Sequence, residues 1–193
     1  KAGIGVVDLG MVATPMTYFA AYQLKTNSAV MVTGSHNPPD YNGLKMVLGG
    51  ETLSGDTIQR LRERLVKGDL VNGTGGYRSY DIAPEYHARI VSDIKLARPM
   101  KIIVDCGNGV PGAFAGPLYR ALGCEVEEMF CEVDGNFPNH HPDPSQPKNL
   151  ADLIARLKTS DAELGLAFDG DGDRLGVVMK DGTIIFPDRQ LML

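Results

Sequence analysis

Cysteine is scarce in this chain, and the three present, Cys106, Cys124 and Cys131, show no C-x-x-C spacing. An odd set without that spacing argues against a disulfide framework or a thiolate zinc site. It reads instead as buried free thiols in a protein of a reducing compartment. No apolar run approaches the ~20 residues that span a bilayer, so no membrane association is expected. The start carries no signal-peptide pattern either. Positive charge is in short supply as well: 24 acidic against 19 basic residues leave a net charge of −5. That balance argues against a broad nucleic-acid footprint, although a few local cations suffice for one small anion.

What is present is an ordinary globular composition, with 43% hydrophobic and 22% charged residues over 193 positions. That length suggests one or two domains and suffices to bury a core. Short apolar runs alternate with amphipathic segments, the pattern of an α/β fold. Val6-Val7 ends a strand, and Met16 to Leu24 is helical after Pro15. Ala29 to Val32 is a buried strand, and Ile58, Leu61 and Leu65 fall at helical spacing behind the capping candidates Ser54 and Asp56. The Gly-rich stretch Val71 to Gly76, with the polar and aromatic Tyr77 to Tyr80, is the candidate linker. Beyond it the sequence predicts helices over Ala83–Ile94 and near Phe114–Leu122, and another marked by Leu150, Ile154 and Leu157. Strands are predicted at Ile102–Val104, Val126–Phe130 and Leu164–Phe168, with a hairpin turning at Asp181-Gly182. The pattern apolar-apolar-Asp-x-Gly occurs at Val6–Gly10 and Ile103–Gly107, with a weaker copy at Ala167–Gly170, a hint of repeated α/β units. The chain begins at Lys1 and closes on Arg189 to Leu193, which reads as an opening helix, so a piece of a longer protein is expected.

Two loops carry the chemistry. Ser35 follows a strand in the turn Thr33-Gly34-Ser35-His36-Asn37-Pro38, and ligand sites of open α/β sheets collect at strand ends. The esterase elbow G-x-S-x-G fails here, because Thr33 and Asn37 stand where glycines are needed. A serine that accepts a phosphoryl group remains open, since that chemistry asks for positioning and charge neutralisation rather than a strained elbow. The second loop is Asp169-Gly170-Asp171-Gly172-Asp173-Arg174. Carboxylates at alternate positions, separated by glycines, are able to converge on one hard cation such as Mg²⁺. An EF-hand would need glycine at Arg174 and glutamate at Lys180, so it fails twice. A solvated acidic turn is the alternative. Arg174 suits a two-point grip on a phosphate or carboxylate. Lys45 lies on a strand able to pair back beside Ser35, as a neutralising cation or proton-transfer group, or as a solvated lysine. Gly107 to Gly112 forms a G-x-G-x-x-G between strand and helix, but Pro111 removes an N–H from the stretch that would face a pyrophosphate. A glycine-rich turn is the better reading there. For His140-His141 a cleft-lining loop is preferred to a metal site.

The serine turn, the following Asn42-Gly43-Leu44-Lys45 and the aspartate loop resemble the α-D-phosphohexomutases. Val104 to Gly109 and Asp134 to Pro144 resemble the bacterial bifunctional phosphomannomutase/phosphoglucomutase branch in particular. The resemblance implies four domains around a cleft, the first three built as repeated α/β/α units with mixed sheets. In that scheme 1–78 would be the later part of domain one, 79–184 domain two and 185–193 the start of domain three. It implies a cytoplasmic, monomeric isomerase of carbohydrate metabolism, a phosphoprotein that interconverts hexose 1- and 6-phosphates through a hexose 1,6-bisphosphate. Ser35 would be the phosphorylated nucleophile, and its phosphate would complete an Mg²⁺ shell supplied by Asp169, Asp171 and Asp173. His36, Asn37, Lys45 and Arg174 would line the phosphoserine, with Lys45 in proton transfer. Partners would be small phosphosugars. A phosphoglucosamine mutase is the alternative, then a dinucleotide-dependent oxidoreductase. The sugar-choosing and phosphate-clamping loops of such a protein would lie outside this chain, which alone is expected to be inactive.

Overall fold

A computed structural model describes residues 2–38 and 40–192. Strand β1 (Val6–Asp8) leads to helix α1 (Thr14–Gln23), which carries Pro15 in its first turn, where the missing N–H costs nothing. Strands β2 (Ala29–Val32), β3 (Leu44–Leu48) and β4 (Glu51–Thr52) form an antiparallel sheet in which Met31 lies opposite Lys45. Helix α2 (Gly55–Lys67) starts after Ser54 and is closed by Gly68, but the Ser54 side chain makes no capping hydrogen bond. The apolar stripe of α2 is real, yet none of its residues is buried.

The expected linker divides. Strand β5 (Tyr77–Ser79) pairs in parallel with β1, setting Val7 opposite Arg78. A polar segment forms a strand here because β1 offers an open row of backbone donors and acceptors, which does not depend on side-chain type. Helix α3 (Ala83–Asp93), expected to open the second unit, also closes the first. Ile82 and Tyr86 pack on Met16 and Ala20, and the Phe19 and Tyr86 rings meet edge-on at 5.5 Å.

The second unit is built on β6 (Lys101–Asp105), whose residues from Ile102 to Asp105 are all buried. Helix α4 (Ala115–Ala121) leads to β7 (Glu125–Met129), and helix α5 (Ala151–Thr159) to β8 (Leu164–Phe168). Strands β7 and β8 flank β6 in parallel. Strands β9 (Leu175–Met179) and β10 (Ile184–Ile185) extend the sheet antiparallel, giving the order β10-β9-β8-β6-β7. A short helix, α6 (Pro187–Gln190), covers part of the helix expected to open over Arg189 to Leu193, of which Leu193 lies outside the described residues. The alternation along β6 makes the sheet two-sided. Ile103 faces Leu150, Leu153 and Leu157 around α5, while Ile102 and Val104 face Ala115 of α4 with Cys106 and Leu166. Full burial of leucines such as Leu153 and Leu157 stabilises by about 1.5–3 kcal/mol each. This is an α/β chain with several sheets, and helices cover both faces of the largest.

The repeated Asp-x-Gly pattern has a local counterpart. Asp8 Oδ1 accepts the Gly10 N–H and Asp105 Oδ1 accepts the Gly107 N–H, both at 2.9 Å. Asp169 departs, taking the amides of Asp173 and Arg174 instead. All three cysteines are free, but only Cys106 is buried. Its sulfur lies 3.4 Å from that of Cys131, a proximity that the sequence spacing does not reveal. No helix among the described residues is long and apolar enough to cross a membrane.

Candidate active site

Ser35 sits in the connection between β2 and β3 with φ of 54°, the left-handed region that non-glycine residues seldom adopt. The turn is held from both sides. Thr33 Oγ1 accepts the Ser35 N–H at 2.8 Å, while the Asn37 N–H and side-chain amide both donate to Gly34 O. The result aims Ser35 Oγ away from its own strand, 3.1 Å from Asp169 Oδ2 and 3.2 Å from His36 Nδ1. Gly170 makes the approach possible, since a Cβ there would run into the Ser35 carbonyl. Gly172, at φ +75°, turns the loop so that Asp171 and Asp173 lie on the same side as Asp169.

The carboxylates of Asp169, Asp171 and Asp173 converge, with one oxygen of each within 4.8 Å of the others. Asp169 is buried, and its Oδ1 accepts two loop amides, which leaves Oδ2 for Ser35. Burial, reinforced by the charges of Asp171 and Asp173, pushes the Asp169 carboxyl up to about 6. Burial also opposes ionisation of Asp171, but hydrogen bonds from Lys45 and Thr14 outweigh it and hold that carboxyl below its usual value. Lys45 Nζ bridges Asp171 Oδ2 at 2.7 Å and Asp173 Oδ2 at 2.6 Å. Partial burial opposes its charge, yet the two ion pairs win and raise its pKa. In this arrangement Lys45 neutralises two of the three carboxylates. Asp171 Oδ1 is buried and has no hydrogen-bond partner among the described residues. An all-oxygen cluster with one buried, uncommitted carboxylate oxygen fits a hard divalent cation.

Of the other expected site residues, Arg174 is half-exposed beside the cluster, 3.8 Å from Asp143 and 4.0 Å from Asp169 Oδ2, a position open to an incoming anion. The His36 ring stands edge-on to His141 at 6.0 Å. Asn37 is turned to Gly34 O, so its evident work is to close the serine turn. Sequence reasoning missed Thr14, which reaches Asp171 from a distant part of the chain with no local pattern to mark it. Asp143, within the Asp134–Pro144 stretch, approaches Arg174 beside the cluster.

The glycine-rich loop after β6 is a turn. The N–H groups of Gly107, Asn108, Gly109, Val110 and Gly112 all bond within the protein, so none is free for a pyrophosphate. Val110 donates to Gly170 O, so this loop buttresses the aspartates. The adjacent histidines diverge, His140 toward Asp105 and His141 toward the His36 ring. His140, 14% exposed, bonds the fully buried Asp105 through Nε2 at 2.9 and 3.0 Å. Asp105 raises the His140 pKa above its ordinary 6.5 against the opposing effect of burial. The pair therefore stabilises fully below about 6.5, and its contribution is lost as pH rises through the raised value. Thermal scans of His140→Gln and its parent should show the widest gap near pH ~6, narrowing by pH ~9. A constant gap would mean that the histidine works uncharged.

The family profile described as "Phosphoglucomutase/phosphomannomutase, alpha/beta/alpha domain I" matches residues 1–72, and that for "alpha/beta/alpha domain II" matches 84–182. Among similar curated proteins, a phosphoglucomutase of Neisseria meningitidis is 66% identical over 100% of this chain and 42% of its own length. A phosphomannomutase/phosphoglucomutase of Pseudomonas aeruginosa is 61% identical over 99% of this chain and 41% of its own. The crystal structure of a phosphoglucomutase/phosphomannomutase family protein from Burkholderia thailandensis superposes with a TM-score of 0.95 at 60% identity, covering 99% of this chain and 43% of that one. The chain thus spans about two fifths of the length of these relatives. The serine turn falls within the first profile and the aspartate loop within the second, and the chain belongs to the phosphoglucomutase/phosphomannomutase family.

Proposed function

We propose that this chain is part of a phosphosugar mutase that interconverts hexose 1-phosphate and hexose 6-phosphate through a phosphorylated Ser35. The observation that carries the reading is the 3.1 Å approach of Ser35 Oγ to Asp169, across 134 positions of sequence. It joins a nucleophile to a carboxylate cluster suited to a divalent cation. We read residues 1–78 as the later part of a first domain, 79–184 as a second and 185–193 as the start of a third, in keeping with the two profile matches. The names of the relatives favour glucose and mannose as the sugars. Free thiols fit a protein of the reducing cytoplasm, and we read the complete protein as a monomer.

In the reaction, the phosphoryl group leaves Ser35 Oγ for the free hydroxyl of the bound sugar, giving a hexose 1,6-bisphosphate. The bisphosphate then reorients, and Ser35 Oγ takes back the other phosphoryl group. Asp169, Asp171 and Asp173, with a phosphate oxygen on Ser35, would hold Mg²⁺, which supplies charge neutralisation at the transferring group. A phosphoserine brings roughly −1.5 to −2 charge into an acidic site. Lys45 and Arg174 answer that charge; Lys45 is the group we propose to take up the sugar hydroxyl's proton, and His36, beside Ser35 Oγ, is placed to return one to it. The hydrogen-bonded turn around Ser35 pre-positions the nucleophile.

The complete protein, supplied with glucose, mannose and glucosamine phosphates and a catalytic bisphosphate, is expected to isomerise the first two. Intact-mass analysis should find one phosphate on Ser35. The 193-residue chain alone should show no isomerisation above background, because remote binding energy from the second phosphate drives such chemistry. If no phosphosugar is converted and Ser35 stays unmodified with bisphosphate present, the reading is wrong.

A further inference from the structure

Thr14 is fully buried at the start of α1, yet both of its polar groups reach the aspartate loop. Its hydroxyl donates to Asp171 Oδ2 at 2.7 Å, and its N–H donates to Asp171 O at 2.8 Å, joining positions 157 apart. Nothing else at this helix end competes for the role. Pro15 has no N–H, and the Met16 N–H is spent on Ala13 O. The loop is seated on the same turn, for a Cβ at Gly172 would press on the Ala13 side chain. Asp171 Oδ2 therefore accepts from both Thr14 and Lys45, while Oδ1, equally buried, has no partner among the described residues.

We infer that Thr14 is a positioning residue for the cation site, holding the Asp171 carboxylate by one oxygen so that the other is left to bind the metal. The inference rests on reading the aspartate loop as a cation site. A carboxylate accepts on either oxygen, and the side chain is free to rotate about its last bond. A donor that occupies Oδ2 fixes that rotation before the cation arrives. Lys45 alone is a poor fixture for it, because Lys45 also serves Asp173 and its flexible stem is free to follow an incoming phosphate. The threonine hydroxyl is rigid by comparison. Its stem is β-branched, and the backbone bond to Asp171 O anchors it from the other side. Loss of such a supporting hydrogen bond typically weakens metal binding about 10–100-fold.

The test is made on the complete protein, in a single phosphorylation state checked by intact mass, with Mn²⁺ and Mg²⁺ alone as probes. Binding is measured by calorimetry and by Mn²⁺ resonance, and unfolding is followed in chelator. Thr14→Val keeps the shape and the backbone N–H but removes the hydroxyl, and is expected to weaken Mn²⁺ binding about tenfold or more. Thr14→Ser keeps the hydroxyl and is expected to stay within about threefold of the parent. Thr14→Ala serves as the second hydroxyl-free variant if valine does not fold. Equal affinity of parent and hydroxyl-free variant would overturn the inference while leaving the cation site intact. So would equal losses in the serine and hydroxyl-free variants, since those would report packing. A parent that binds neither ion would overturn the cation site itself, and this inference with it.

Discussion

Replacing Ser35 by alanine in the complete protein should lower mutase turnover by at least about 10³-fold while the protein stays folded. The size of the loss follows from the geometry. Ser35 Oγ is the only atom that the substitution removes, and it is the atom aimed at Asp169 Oδ2. The backbone bonds of the turn, from the Ser35 N–H to Thr33 and from Asn37 to Gly34, do not involve it. Alanine inherits the same unfavourable φ of 54°, so the change adds no new backbone strain. Ser35→Gly separates the two properties, for it relieves the backbone, a gain of order 1 kcal/mol, yet has no nucleophile. If activity depends on the oxygen, both variants are inactive and the glycine variant is the more stable. A coupled assay of glucose 1-phosphate conversion, with bisphosphate supplied, reads the first point and thermal unfolding the second. Rates near those of the parent in either variant would remove Ser35 from the role of nucleophile.

The second large effect is expected at Asp171. Asparagine has nearly the same shape, so Asp171→Asn should fold, but it has one side-chain oxygen where the site needs two, Oδ2 for Thr14 and Lys45 and Oδ1 for the cation. If that oxygen serves Thr14 and Lys45, the amide NH₂ replaces the uncommitted Oδ1 and repels a cation. If it replaces Oδ1, the NH₂ group faces the Lys45 ammonium and the Thr14 hydroxyl. Both orientations fail, and one of three negative charges is lost as well. Mg²⁺ affinity should fall by more than the about 10–100-fold that a supporting partner's loss costs, and turnover should fall with it. Calorimetry on the complete protein measures the first directly. Unchanged affinity would mean that the cation binds elsewhere.

Ser35 and the three aspartates were legible in the sequence because their chemistry is local: a serine in a tight strand-end turn, and acids at alternate positions spaced by glycine. The main strands and helices were legible for a similar reason. The apolar run of β6 and the spacing of Leu150, Ile154 and Leu157 around α5 each state a burial pattern within a few residues.

Periodicity names a face but not what covers it, which is why Ile58, Leu61 and Leu65 marked α2 correctly and yet none of them is buried. Backbone pairing can recruit a strand without any side-chain signal, which is why Tyr77–Ser79 read as linker and became β5. What the sequence by itself determined was the set of candidate reactive groups, their local turns and the α/β class. Only the tertiary structure decided that Thr14 and Lys45 share one oxygen of Asp171, that His140 pairs with buried Asp105, and that Cys106 meets Cys131. The physical reason is range. Turn geometry and apolar period are settled by forces between near neighbours in the chain, whereas these contacts join positions 25 to 157 apart and exist only because packing brings the segments together.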